Sequence, residues 1–267
     1  MLGQKNIDYP NLQAIRIFLL LMLCTFSYCT NAQEFGIEKK TTYFGGAVTA
    51  TNNGISLLPT FTLGKPAAIF DMKVGRKLTF EPQFRFAMEG KPWSFVFWWR
   101  YKIVDNEKFR MRAGAHPAIL FKTTTITSNG TTSEVTEALR YVAAEIAPDY
   151  YLTKNISIGL YYLHGYGLQD TGIKNSDFFT INGNFSHINL AKDYYLKFNP
   201  QFYYLLMDDQ DGFYFTATAT LAKENFPLTV QSIINQPIET EIVGGTDFVW
   251  NVSLVYSFQN NYVKHKK

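Results

Sequence analysis

Two consecutive segments between Leu78 and Lys102 alternate so regularly that apolar side chains occupy one face and mostly polar or charged ones the other. In the first, Leu78, Phe80, Pro82, Phe84, Phe86 and Met88 oppose Thr79, Glu81, Gln83 and Arg85. Beyond Glu89-Gly90-Lys91, the residues Trp93, Phe95, Phe97, Trp99 and Tyr101 oppose Ser94, Val96, Trp98, Arg100 and Lys102. A strand sends successive side chains to opposite faces, so each segment predicts a strand with one apolar and one polar side. Large aromatics outside and arginines inside suit a strand whose outer face meets lipid and whose inner face meets a lumen.

Alternating runs bounded by turn residues predict about twelve strands, with ten or fourteen as alternatives. They run approximately from Ile55 to Leu63, Ala67 to Gly75, Leu78 to Met88, Trp93 to Ile103, Lys108 to Thr123 and Glu137 to Leu152. The second half gives Asn155 to Leu168, Asp177 to Leu190, Tyr194 to Met207, Gly212 to Ala222, Phe226 to Asn235 and Asp247 to Phe258. Thr42 to Ala50 alternates weakly and reads as a short extra strand, a plug segment or a periplasmic lead-in. Register breaks near Glu145, His164 and Ser186 predict bulges or different strand boundaries there. The expected fold is a single all-β domain, a closed antiparallel transmembrane β-barrel over 55–258.

Four further faces support a lipid-facing exterior. Phe109 to Phe121, Leu196 to Leu206, Phe213 to Leu221 and Phe248 to Phe258, taken every second residue, carry no charge. Arg or Lys at mid-depth on a lipid face costs about 2 to 4 kcal/mol, so the bilayer enforces that absence. Loop lengths add an independent signal. Connections after even-numbered strands are tight, while the long ones, Thr124 to Thr136, Gln169 to Ser176 and Gln236 to Thr246, all follow odd-numbered strands. Short periplasmic turns with longer external loops are the outer-membrane pattern.

Prolines conflict with unbroken ladders, because each lacks a backbone N–H. Pro59, Pro82, Pro117 and Pro200 all fall on odd-numbered predicted strands and on outward positions, which predicts matched bulges at one barrel level or, as the weaker alternative, a hairpin duplication.

The N-terminus carries Lys5 and Arg16, an apolar run from Ile17 to Phe26, and then Thr30-Asn31-Ala32-Gln33. This predicts a secretory signal peptide over 1–32, cleaved after Ala32, followed by the lead-in or extra strand over 33–54. The run is too short for a spanning helix. Both cysteines, Cys24 and Cys29, lie inside it, so the mature chain is expected to have no disulfide and no Cys-based metal site. Leu23 and Tyr28 precede them, where a lipoprotein signal needs a small residue. A formal charge of +3 gives no argument for a nucleic-acid partner. The slightly negative mean hydropathy is compatible with a barrel, because alternating faces cancel.

With the signal, the alternating strands and the terminal strand Trp250-x-Val252-x-Leu254-x-Tyr256-x-Phe258, the chain resembles outer-membrane β-barrel proteins of Gram-negative bacteria, porin-like in character. The resemblance implies residence in the cell outer membrane, with outer-membrane lipids and the barrel-assembly machinery as partners. It also implies that Trp250, Tyr256 and Phe258 form the assembly signal. The basic tail 259–267, expected on the periplasmic side, departs from a pattern in which the last aromatic commonly ends the chain.

Candidate chemistry concentrates on the inward side. Glu81, Arg85, Arg100, Arg110, Arg112, His116 and Glu145 are the lumen candidates, with Lys102, Lys122, Asp149 and Lys197 nearby in pattern. The four arginines form either a basic stripe favouring anionic solutes or a ladder of ion pairs with Glu81 and Glu145 that fills a narrow barrel. Ser186-His187 are adjacent, so in a strand they face opposite ways and do not form a nucleophile–base pair. The residues predict neither a catalytic site nor a cofactor nor a metal site, and Asp208-Asp209-Gln210-Asp211-Gly212 lacks the distal Glu of a calcium loop. The expected function is a small porin-like channel for polar or anionic solutes. The alternatives are a structural or surface-interaction barrel with an occluded lumen and, last, an outer-membrane lipid hydrolase.

Overall fold

The computed structural model describes residues 41–128 and 131–263. Twelve strands form one closed antiparallel barrel: β1 Thr41–Thr51, β2 Ala67–Gly75, β3 Leu78–Ala87, β4 Pro92–Asp105, β5 Phe109–Ser128, β6 Thr131–Tyr151, β7 Ile156–Gly167, β8 Asn175–Ala191, β9 Tyr194–Met207, β10 Gln210–Lys223, β11 Leu228–Thr240 and β12 Val249–Val263. Each pairs with its sequence neighbours, and β1 closes on β12 from Thr41–Val263 to Thr51–Ser253. The predicted signal, Ala32 and residues 264–267 of the expected tail lie outside the described residues.

The expected strand number matches, but one strand is a different segment. Ile55 to Leu63 forms no strand; it belongs to the β1–β2 connection and carries a single 3-10 turn, Pro59–Phe61. Pro59 starts that turn, where its fixed φ fits and no donor is lost. The weakly alternating Thr42 to Ala50 lies in β1 instead. Among the described residues the barrel therefore runs from Thr41 to Val263 rather than over 55–258, and Gln259 to Val263 pair with β1 rather than forming a tail. Parity survives the exchange, because β2 to β12 keep their numbers. The connections after even strands, such as 76–77 and 192–193, define a turn end; those after odd strands define a loop end. One expected long loop is largely strand, as β5 and β6 run far into 124–136, and β11 takes the first residues of another, reaching Thr240.

The outward faces follow the alternation. Aromatic rings mesh between strands, with centroid distances of 4.6 Å for Phe80–Trp99, 5.0 Å for Phe95–Phe121 and 5.0 Å for Phe202–Phe215. Trp99 and Trp250 are each 51% exposed, which is costly in water and favourable in hydrocarbon. Trp93 departs from the expectation. Arg85 pairs with Ser94 and Phe86 with Pro92, so Trp93 is the extra residue of a β-bulge. Its ring turns into the barrel and is 3% exposed.

The prolines are accommodated without the expected bulges. The β2–β3 ladder lapses between Asp71–Gln83 and Val74–Phe80, around Pro82; β4–β5 lapses around Pro117, and β8–β9 around Pro200. In all three the register is the same on both sides of the lapse, and pairing with the following strand continues through the proline. An antiparallel residue directs its N–H to one neighbour only, so each proline interrupts one ladder and spares the other. Of the predicted bulge sites, the β8–β9 register shifts across Ser186, whereas β6 and β7 keep register at Glu145 and His164.

Gly75 enters the β2–β3 turn at φ +136°, and a Cβ there would collide with the Leu78 carbonyl oxygen. Gly75→Ala is expected to destabilise the barrel by about 1–3 kcal/mol, read from urea unfolding in detergent micelles. Wild-type stability in this variant would show that the turn relaxes freely.

Candidate functional site in the lumen

The inward faces build distinct layers along the barrel axis. At the loop end, Phe178, Tyr203, Leu205, Met207, Tyr214 and Ile242 form an apolar cluster inside the barrel. Leu57, Leu58 and Phe61 of the β1–β2 connection pack on it. Hydrogen bonds fix that connection to the wall, among them Trp93 Nε1 to the Phe61 carbonyl (2.8 Å), Asn251 Nδ2 to the Asn53 carbonyl (3.1 Å) and the longer branch of a shared Tyr203 hydroxyl proton to the Leu57 carbonyl (3.2 Å). Phe61 also contacts a second cluster of Ala67, Trp93, Leu120 and Leu139. The connection therefore acts as an internal plug rather than as a strand.

Toward the turn end lies an ionic layer. Arg100 reaches Glu145 through Nε (2.7 Å) and Glu81 through Nη1 (2.6 Å). Arg112 Nε approaches Glu145 at 3.3 Å, Tyr161 Oη donates to the same carboxylate at 2.8 Å, and Lys73 meets Glu81 at 2.5 Å. The Glu145 side chain is fully enclosed. Arg100 also lies over the Trp98 ring at 4.0 Å. The alternation predicts these pairs only partly. Arg100, Arg112, Glu81 and Glu145 come from β3 to β6 as expected, but Lys73 and Tyr161 were not among the candidates. The outward run Ala68, Phe70, Met72 and Val74 marks Lys73 as inward by the same parity; Tyr161 reads only as one of a rim cluster of tyrosines.

Arg110 stands apart, near the β4–β5 turn, paired with Asp105 at 3.2 Å and lying over Tyr151. It lines a turn-end vestibule of about 220 Å³ together with Lys73, Arg100, Lys102 and Arg112 on the cationic side and Glu81, Asp105 and Asp149 on the anionic side. Arg85 and His116 belong to neither group. They line a separate cavity of about 320 Å³ between the plug and the ionic layer. On the opposite wall hydrogen bonds join neutral groups: Tyr203 Oη donates to Asn235 (2.8 Å), Thr216 to the Ile234 carbonyl (2.7 Å), and Asn251 to the Asn53 carbonyl (3.1 Å).

Trp250 and Tyr256 of the terminal strand face outward and are exposed, and Phe258 packs its ring near Phe44 of β1 (6.0 Å). His164, also outward, bonds Asp177 at 2.9 Å, and Tyr162 donates to the same carboxylate at 2.6 Å. His187 stacks on Tyr195 and Ser186 bonds the Asn155 carbonyl, so the two do not act on each other. Among the described residues no group of three metal-ligating side chains is present.

At the loop end β5 and β6 continue past their neighbours. β5 leaves β4 after Leu120 and β6 joins β7 only from Tyr141, so the pairs from Phe121–Ala138 to Ser128–Thr131 form a two-stranded ribbon. Lys91 bonds Glu134 and Thr171 bonds Glu137, tying the ribbon to adjacent loops. The Lys91 ammonium is raised above its ordinary range by that bond to Glu134, and the neighbouring Glu89 carboxyl is lowered by its bond from Lys65.

No protein-family model and no curated protein matches the sequence. Solved structures with a similar fold include the NanC porin, at TM-score 0.47 and 12% identity over 82% of this chain and 100% of that one. The KdgM porin aligns at 0.44 and 10% over 80% and 99%. OmpT, an outer membrane protein of Vibrio cholerae, aligns at 0.39 and 10% over 85% and 100%. The chain is a closed twelve-stranded antiparallel β-barrel whose exterior is predominantly apolar and aromatic.

Proposed function

We propose that this protein is an integral outer-membrane barrel with an occluded lumen, a membrane-anchored platform whose working part is its loop-end surface, above all the β5–β6 ribbon. The internal plug carries this reading. Leu57, Leu58 and Phe61 fill the loop-end mouth with apolar packing, and the ionic layer beneath them leaves Arg100 and Glu145 satisfied by each other rather than by passing solute. Burying apolar side chains in a barrel interior is favourable only when water is displaced, which opposes an open aqueous path.

A second reading, a narrow anion-preferring conduit, is favoured by the turn-end vestibule, where five cationic side chains meet three anionic ones. Planar-bilayer conductance separates the two. The wild-type barrel is expected to show no steady unitary current, and replacing Ile55 to Leu63 by a Gly/Ser linker is expected to produce one. Steady wild-type current with an anion preference that falls in Arg112→Ser would establish the conduit instead. Co-fractionation with the outer membrane and heat-modifiable gel migration test the location.

A further inference from the structure

The cavity beneath the plug has the composition of a ligand site rather than of a packing defect. Its volume of about 320 Å³ falls at the lower end of the range for small-molecule pockets. Its lining is divided: Leu57, Leu58, Phe61, Val96 and Leu163 are apolar, while Arg85, His116 and Tyr141 bring polar atoms to it. Arg85 Nε, His116 Nδ1 and Tyr141 Oη are all buried and have no hydrogen-bond partner among the described residues. Buried polar atoms are nearly always satisfied, and the residues that carry these three orphans all line one cavity, which points to a partner that turns them into it.

The three atoms share a polarity. A guanidinium N–H only donates, a tyrosine hydroxyl can donate, and an imidazole nitrogen donates in one tautomer. Arg85 makes one hydrogen bond, from Nη2 to Gln83 Oε1 (3.1 Å), and forms no ion pair within 4.0 Å among the described residues. Asp71 acts on it from β2 only at longer range, and the Trp93 ring lies 5.3 Å away. Arg85 thus differs from Arg100, Arg110 and Arg112, each of which has a carboxylate in contact. A guanidinium with no carboxylate in contact and one nitrogen held by Gln83, beside a partly enclosed cavity, matches a carboxylate.

We propose that this cavity binds a small carboxylate with an apolar body, the carboxylate on Arg85 with Tyr141 and His116 as further donors, and the body against Leu57, Leu58 and Phe61. The site stands whether or not the barrel conducts, because binding and current are measured separately. Roofing by the β1–β2 connection also makes the plug part of the binding site.

The test is calorimetric titration of the folded full-length barrel in non-ionic micelles near neutral pH, with benzoate as probe and benzyl alcohol as its uncharged counterpart. Benzoate is expected to bind more tightly than benzyl alcohol. Arg85→Gln is expected to weaken benzoate by about tenfold or more, the loss of a charge-assisted pair, and to leave benzyl alcohol within about threefold. Arg85→Lys keeps the charge without the fork and is expected to fall between. Ala143→Leu fills the wall opposite the arginine's own strand and is expected to abolish binding of both probes; it carries the test if Arg85→Gln does not fold. No benzoate binding to the wild type overturns the proposal, as does equal binding of the two probes or binding that survives Ala143→Leu.

Discussion

Glu145→Leu is expected to destabilise the barrel by about 3–5 kcal/mol, the cost of breaking an enclosed ion pair and leaving its partners uncompensated. Glu145 is where the ionic layer converges: Arg100, Arg112 and Tyr161 all reach its carboxylate. Removing it leaves Arg100 with Glu81 alone and leaves Tyr161 without that acceptor. Glu145→Gln keeps the shape and one acceptor and is expected to cost less, about 1–3 kcal/mol. The double variant Glu145→Leu with Arg100→Leu is expected to recover much of the loss, because removing both charges also removes the desolvation cost of each. Urea titration in micelles followed by tryptophan fluorescence measures all three. A single-variant loss below about 0.5 kcal/mol would mean that lumen water solvates Arg100, and the occluded-lumen reading would fall with it.

Phe97→Arg is expected to cost about 2–4 kcal/mol, the price set by hydrocarbon for a cation at mid-depth. Phe97 pairs with Pro82 near the middle of β3 and β4, and its ring lies 5.8 Å from that of Phe84 on the outer face. Phe97→Leu is the control, expected to lose only part of the aromatic packing, about 1 kcal/mol. Equilibrium unfolding in lipid vesicles is the measurement. Equal stability of the two variants would place this face in water and remove the bilayer from the account.

The exterior was legible because it depends on one local rule. A period of two assigns Phe80, Phe95, Phe202 and Trp250 to the outside without any knowledge of partners, and a bilayer removes charges from that side. Ambiguity began where the rule weakens. β1 alternates poorly because its Gly45-Gly46 pair lacks side chains and Ala47 puts an apolar methyl on the inward parity of Thr49 and Thr51, whereas Ile55 to Leu63 is apolar enough to imitate a strand. Only closure decides between them: β12 needs a partner for its free edge, and β1 supplies it. Trp93 shows the same limit at one residue, since a single bulge reverses its face.

Inside the barrel, parity identified Glu81, Arg85, Arg100, Arg110, Arg112, His116 and Glu145 as inward without saying which of them meet. A stripe and an ion-pair ladder have identical sequence patterns. Shear between strands decides which inward residues share a level, and it brings Arg100 between Glu81 and Glu145 while leaving Arg85 beside a cavity. The sequence alone determined the strand period, the lipid-facing surface and the parity of the loops, because each follows from neighbours along the chain. The pairing of charges, the inward turn of the β1–β2 connection and the orphaned donors around Arg85 were decided by the tertiary structure, because each depends on residues brought together only by closing the barrel.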